Sequence, residues 1–301
     1  MRLSSHSSEP DAPDSAQASW RVGDLMALME SWYPQATAQS WDRVGLIVGD
    51  SDAPVRSLLL ALDPTAAIAE QAVAGPDSDG HPYDMVITHH PLLLRGASFL
   101  PVTDPKGAVV TRLIRAGVSL FNAHTNADVA CEGVATALAD LIGLRETVPL
   151  EPCGVDAEGH EIGLGRVGTI EPTTLGAFAD HVASVLPAGP TGLLVGGDEA
   201  MAVSRVAVLG ARGTAHWTRR APPTLTCTLR PTCVTTRPPS TSRADAPRCC
   251  AVPTGRQSPR GYPSLPAGSG RRPALLKWNF ASKSLRLSPS HGPATESPRE
   301  D

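Results

Sequence analysis

The sequence predicts an α/β fold, on three observations. Short apolar runs of strand length alternate with amphipathic helical stretches over residues 20–210. Two of those runs stop abruptly on imidazole or carboxylate side chains. The apolar runs are continuous rather than alternating, the mark of strands buried on both faces in a parallel sheet.

Residues 20–32 place Val22, Leu25, Met26, Leu28 and Met29 at helical spacing, and Pro34 closes the stretch. Trp41-Asp42-Arg43-Val44-Gly45-Leu46-Ile47-Val48-Gly49-Asp50 reads as a loop entering a strand, and Ser57-Leu-Leu-Leu-Ala-Leu-Asp63 as a strand ending on an acid. Residues 64–74 read as a helix. Tyr83-Asp-Met-Val-Ile-Thr-His-His-Pro91 is an apolar strand that runs into His89 and His90. Residues 107–117 carry Val109, Val110, Leu113 and Ile114 on one helical face, and Ser119-Leu-Phe-Asn-Ala-His124 is the next strand. Helices are expected over 133–143 and 175–186, a strand over 203–209, and a polar linker over 151–161. Gly163-Leu-Gly-Arg-Val-Gly168 is glycine-rich but lacks the strand-to-helix context of a phosphate-binding loop. Strand–helix–strand units of this kind form right-handed crossovers.

His89, His90 and Asp128 are the candidate metal ligands. Open α/β sheets build their sites past the carboxyl ends of the strands, and imidazole with carboxylate suits divalent transition metals. Adjacent strand residues point to opposite faces, so His89 and His90 can share a site only if the strand has ended, as Pro91 suggests. His124 either orients Asp128 or a bound water, or is a satisfied core histidine. Asp42 either lines the same cavity or caps a turn. Asp63 reads as structural.

Charge divides the chain. Residues 1–210 hold 11 Lys and Arg against 26 Asp and Glu, about −15; residues 211–301 hold 15 against 4, about +11. The second segment also contains 14 of the 29 prolines and shows no sustained apolar period. Such a composition fits a disordered segment or a basic tail, but no aromatic interleaving supports a nucleic-acid partner. Residues 1–19 read as a disordered lead without the apolar core of a signal peptide. No apolar stretch is long enough to span a membrane, and six cysteines without metal-ligand spacing fit a cytoplasmic, reduced protein.

Ser40-Trp-Asp-Arg-Val-Gly-Leu-Ile-Val-Gly49, Thr88-His-His-Pro-Leu-Leu-Leu-Arg-Gly96 and Ala123-His-Thr-Asn-Ala-Asp128 together resemble three blocks of the GTP cyclohydrolase 1 type 2 homologs, the Nif-three-like dinuclear-metal-centre proteins. The resemblance covers residues 20–210. It implies a layered α/β fold, a toroidal homo-hexamer and two divalent metals per subunit (zinc, iron or manganese), held in part by His89, His90 and Asp128. It implies a metal-dependent hydrolase acting on a small molecule, with a non-catalytic metal-binding scaffold as the rival reading. It also implies a His and a Glu spaced H-x-x-x-E near the C-terminus. No such pair occurs after Gly210, so a chain inactive for want of those ligands is a third reading.

A single-base shift of reading frame after Gly210 accounts for the missing pair. Read one base earlier, Val234-Thr-Thr-Arg-Pro-Pro-Ser240 permits Arg-His-His-Pro-Ala-Ser-Glu, and Thr254-Gly-Arg-Gln-Ser258 permits His-Trp-Ala-Thr-Glu. Residues 211–301 therefore read as an out-of-frame translation. Sequencing the gene across the Gly210 codon is expected to reveal a missing or extra base; an unbroken frame there contradicts this reading.

Overall fold

The computed structural model describes residues 20–76, 80–187, 192–210, 225–232, 248–253 and 283–286. Two mixed sheets with flanking helices form the described part. The first has the order β1-β4-β3-β2-β11, with β1 at Gly45–Val48, β2 at Ser57–Ala61, β3 at Met85–Thr88, β4 at Ser119–Asn122 and β11 at Lys283–Arg286. Its centre, β2, β3 and β4, is parallel and in register, so that Ala61 pairs with Thr88 and Thr88 with Asn122. β1 and β11 run antiparallel at the two edges.

The parallel centre is buried on both faces, which is why its strands are uniformly apolar. Leu58, Leu60, Met85, Ile87 and Phe121 face α1 (Val22–Trp32) through Val22, Leu25 and Met29. The alternate residues Leu59, Val86 and Leu120 face α2 (Ala66–Ala74) and α3 (Pro105–Arg115) through Ile68, Ala72, Val109 and Leu113. The crossover helices begin where capping chemistry predicts. The Thr65 side chain accepts from the Ile68 amide, and Asp104 accepts from the amides of Lys106 and Gly107, with Pro105 opening the helix. Pro34 lies just past the end of α1, as the sequence suggests.

The second sheet has the order β5-β6-β8-β9-β10-β7, with β5 at Arg145–Val155, β6 at Glu161–Thr174, β7 at Leu194–Val195, β8 at Ala202–Val208, β9 at Cys227–Thr232 and β10 at Arg248–Pro253. Helices α5 (Val134–Leu141) and α6 (Leu175–Val185) cover it through Leu138, Ile142, Leu175, Phe178 and Val182. The short helix α4 (Thr125–Val129) precedes α5.

The expected polar linker over 151–161 is instead a hairpin. Residues 151–155 finish β5, and 161 onwards belongs to β6. β5 lies at the sheet edge, which tolerates Pro149 and Pro152 and leaves most of its residues exposed. The glycine-rich stretch lies inside β6 rather than in a phosphate loop. A Cβ on Gly163 would stand 2.2 Å from the Glu151 carbonyl oxygen, and one on Gly168 would stand 2.7 Å from that of Arg145. These glycines let β6 approach β5.

Within 211–301, where composition predicts no regular element, the structure has β9, β10 and β11. The remainder of that segment, and the expected lead at 1–19, lie outside the described residues.

Gly163→Ala is expected to destabilise the fold by about 1–3 kcal/mol, because the obstruction is backbone and cannot swing aside. Denaturant unfolding checks this; an unchanged midpoint would show that the hairpin can shift.

Candidate metal centre

The in-register ends of β2, β3 and β4 bring the candidate residues to one edge. Asp63 comes just after β2, His89 and His90 just after β3, and Ala123 and His124 just after β4. β3 stops at Thr88, one residue short of the expected end. Freed from the pleat, His89 and His90 turn to the same side, with ring centroids 5.1 Å apart. The His124 ring lies 5.2 Å from that of His89 and 5.7 Å from that of His90. One ring nitrogen from each of the three lies within 4.8 Å of the others.

Each imidazole is oriented through Nδ1. His89 Nδ1 is 3.0 Å from the Ala123 carbonyl oxygen, His90 Nδ1 is 2.6 Å from Asp63 Oδ1, and His124 Nδ1 is 3.0 Å from Asp42 Oδ1. All three partners are oxygen acceptors, so in the neutral tautomer of each ring Nδ1 carries the proton and Nε2 the lone pair. An imidazole whose Nδ1–H is held by a carbonyl or carboxylate is the form that ligates a metal through Nε2.

Asp42 is a buried anchor rather than a simple turn cap. Its Oδ2 accepts from the Thr125 amide at 3.0 Å and from the Thr125 hydroxyl at 2.5 Å, while Oδ1 faces His124. Burial pushes its carboxyl up, but the hydrogen bonds from His124 and Thr125 together outweigh burial and hold it below the usual range. Asp63 is likewise held low, chiefly by its hydrogen bond with His90. Sequence reasoning treats Asp63 as structural. The signal that could have found it is its position: an acid just past a strand adjacent to the His-His strand.

Asp128 lies one turn into α4, its amide bonded to the His124 carbonyl. It is 1% exposed. Its Oδ1 is 3.7 Å from His89 Nε2, and among the described residues neither carboxylate oxygen has a hydrogen-bond partner. Burial raises its carboxyl to about 7. Burial, reinforced by His90 and His124, lowers His89 to about 3. A buried carboxylate without hydrogen bonds is costly. The carboxylate and the neighbouring Nε2 lone pairs therefore fit a cation, which would compensate both.

The chain end of β8 also reaches this edge. A Cβ on Gly210 would stand 3.1 Å from Asp128 Oδ1, so Gly210 itself lies beside the site.

Comparisons with known proteins agree with this architecture. Residues 20–221 match the DUF34/NIF3 family (NGG1p interacting factor 3). A protein of Streptomyces coelicolor named GTP cyclohydrolase 1 type 2 homolog is 39% identical over 194 residues, 64% of this chain and 66% of that one. A protein of the same name from Mycobacterium tuberculosis is 45% identical over 132 residues, 44% of this chain and 33% of that one. The matched region thus spans between a third and two thirds of these relatives' length. The crystal structure of a Bacillus cereus protein related to NIF3 superposes with a TM-score of 0.63 at 22% identity, covering 71% of this chain and 82% of that one. That of a Staphylococcus aureus protein superposes with a TM-score of 0.61 at 25% identity, covering 71% and 80%. Among the described residues no helix is long and apolar enough to cross a membrane. By the match over residues 20–221, the chain belongs to the DUF34/NIF3 family.

Proposed function

We propose that the chain is a divalent-metal-binding protein whose centre is held by His89, His90 and Asp128, with Asp42 and Asp63 orienting the imidazoles. The observation that carries this reading is Asp128, a buried carboxylate with both oxygens unpartnered among the described residues, facing an imidazole lone pair. His124, one of two roles left open by sequence, has a ring nitrogen within ligand distance of the other two imidazoles. It belongs to the centre either as a ligand or as a neighbour of one.

The reaction class that this centre supports is hydrolysis of a small-molecule electrophile. Bound divalent metal supplies Lewis acidity and lowers the pKa of water at the site. The protein's part is to fix Nε2 of each imidazole through Nδ1 and to keep the Asp128 carboxylate dry, so that little reorganisation is needed. The name carried by the relatives suggests a purine nucleotide as substrate. A homo-hexamer and a cytoplasmic location belong to the same proposal. A non-catalytic metal-binding scaffold is the rival, and a panel of nucleotides and phosphoesters assayed with zinc, iron and manganese separates the two. Metal-dependent turnover lost in Asp128→Asn supports the hydrolase; binding without turnover supports the scaffold.

Two metals would need more ligands than the described residues offer. The frame reading places the missing His and Glu in 211–301, beyond Gly210, which itself lies beside the site. We therefore expect this centre to hold well under two tightly bound metals after desalting, counted as the metal lost on Asp128→Asn. A chain restored to the other frame after Gly210 is expected to hold two. Two tightly held metals lost from the present chain on Asp128→Asn would contradict this account.

The coupled ionisation of His89 and Asp128 gives a pH signature. Asp128 is raised from 3.8 to about 7 and His89 lowered from 6.5 to about 3. Between those ordinary values the unfolded chain holds one proton on the pair, on His89. The folded chain also holds one, on Asp128. This pair therefore adds no pH slope to metal-free stability from about pH 4 to about 6.5. Above that window the folded pair holds the extra proton, so its contribution falls as pH rises through 7.

A cation must displace that proton, so metal affinity rises with pH through the same range. With zinc at about 100 times its dissociation constant near pH 7.5, stabilisation of about 2.7 kcal/mol is expected, and less at about pH 6 for the same zinc concentration. Asp128→Asn is expected to remove the zinc effect while stabilising the metal-free fold by roughly 1–3 kcal/mol above pH 7. Thermal unfolding with and without zinc reads both. A variant that loses stability without metal and keeps the zinc effect would overturn the assignment.

A further inference from the structure

We propose that Cys131, Asp156 and His160 form a second cation site, separate from the histidine cluster and suited to a borderline-soft divalent metal such as zinc. A cysteine Sγ, a carboxylate oxygen and an imidazole nitrogen from these three residues all lie within 4.8 Å of one another. They come from two distant parts of the chain, the loop after α4 and the turn of the β5–β6 hairpin.

The turn presents its two ligands in a fixed arrangement. The Asp156 amide donates to the His160 carbonyl at 2.9 Å, and Gly159 takes a left-handed conformation with φ +86°. Asp156 Oδ1 accepts from the amides of Glu158 and His160 at 3.1 and 2.8 Å. That leaves Oδ2 directed at His160 Nδ1, 3.2 Å away. In a tetrahedral zinc site, with bonds of about 2.0–2.1 Å, an oxygen and a nitrogen ligand stand about 3.3 Å apart. In the metal-free chain the two are hydrogen-bonded; a cation would take the place of the Nδ1 proton, and the pair already has the edge length of such a site.

The thiol is delivered by a separate device. Arg166 in β6 is buried, and its Nη2 donates to the carbonyls of Ala130 and Cys131 at 2.8 and 3.2 Å. Its Nη1 donates to the carbonyls of Gly163 and Gly165, and its Nε to the Thr136 hydroxyl. That hydroxyl donates in turn to the Cys131 carbonyl at 2.5 Å. The loop carrying Cys131 is thereby fastened to the strand that begins just after the hairpin turn. The guanidinium is also close enough to interact with the Cys131 thiol.

Thiolate, imidazole and carboxylate select zinc or cobalt(II) over magnesium or calcium, which take oxygen alone. Three protein ligands leave a fourth position for water or a ligand atom.

Cobalt(II) titration of the full chain under reducing conditions tests the site, because thiolate ligation gives a near-ultraviolet charge-transfer band that imidazole and carboxylate cannot. The wild-type chain is expected to show the band. Cys131→Ser is expected to abolish it and Cys153→Ser to retain it. His160→Ala and Asp156→Asn, both on an exposed turn, are expected to weaken cobalt binding at this band by at least about tenfold. Asp128→Asn is expected to keep the band, so failure of the histidine-cluster proposal and failure of this one are distinguishable. No band, or a band that survives Cys131→Ser, overturns the proposal. So does a band insensitive to both His160→Ala and Asp156→Asn, which would leave those residues as a turn-capping ion pair. Should Cys131→Ser lose its far-ultraviolet helical signal, the two turn variants decide the matter.

Discussion

The parallel register of β2, β3 and β4 is the constraint on which the candidate metal centre rests. Ala61, Thr88 and Asn122 stand side by side across the sheet, so the residues that continue each strand must share one edge. Those residues are Asp63, His89, His90, Ala123 and His124. The two-sided apolar core keeps that register, because a one-residue slip would exchange the side chains facing α1 with those facing α2 and α3. The site is thus positioned by packing far from it.

From that edge the electrostatics divide into two layers. Asp42 and Asp63 are supplied with donors and stay ionised: each anchors an imidazole. Asp128 is deeper and has none among the described residues. The same residue type thus has opposite fates on one edge, set by hydrogen bonding in two cases and by bare burial in the third. The anchored acids fix ring direction. The bare acid is what a cation would compensate, and its cost to the metal-free fold is what makes binding and stability linked.

Much of this was legible in the sequence. The strand–helix alternation follows from apolar period, and the place of His89 and His90 just past β3 from strand-end position; α3 starts at Pro105, ahead of the expected 107, because Asp104 caps it. The β5–β6 hairpin was not legible. Its outer strand is at an edge, solvent-facing and interrupted by Pro149 and Pro152, so neither alternation nor hydrophobicity marks it. Asp63 reads as structural in the sequence because its strand-end position is a signal only once β2 is known to pair with β3, which brings it to His90. Cys131 and His160 were equally invisible as a pair, since 28 residues, among them α5 and β5, separate them.

The central claim is that the sheet edge presents three Nδ1-anchored imidazoles and a dry carboxylate to a cation. X-ray absorption at the zinc edge tests it most directly, on the Cys131→Ser chain so that thiolate ligation does not intrude. The account predicts a zinc shell of imidazole nitrogens with a carboxylate oxygen, at about 2.0–2.1 Å, in which the imidazole scattering diminishes in His89→Ala. A shell of water oxygens alone, or one unchanged by His89→Ala, would contradict it.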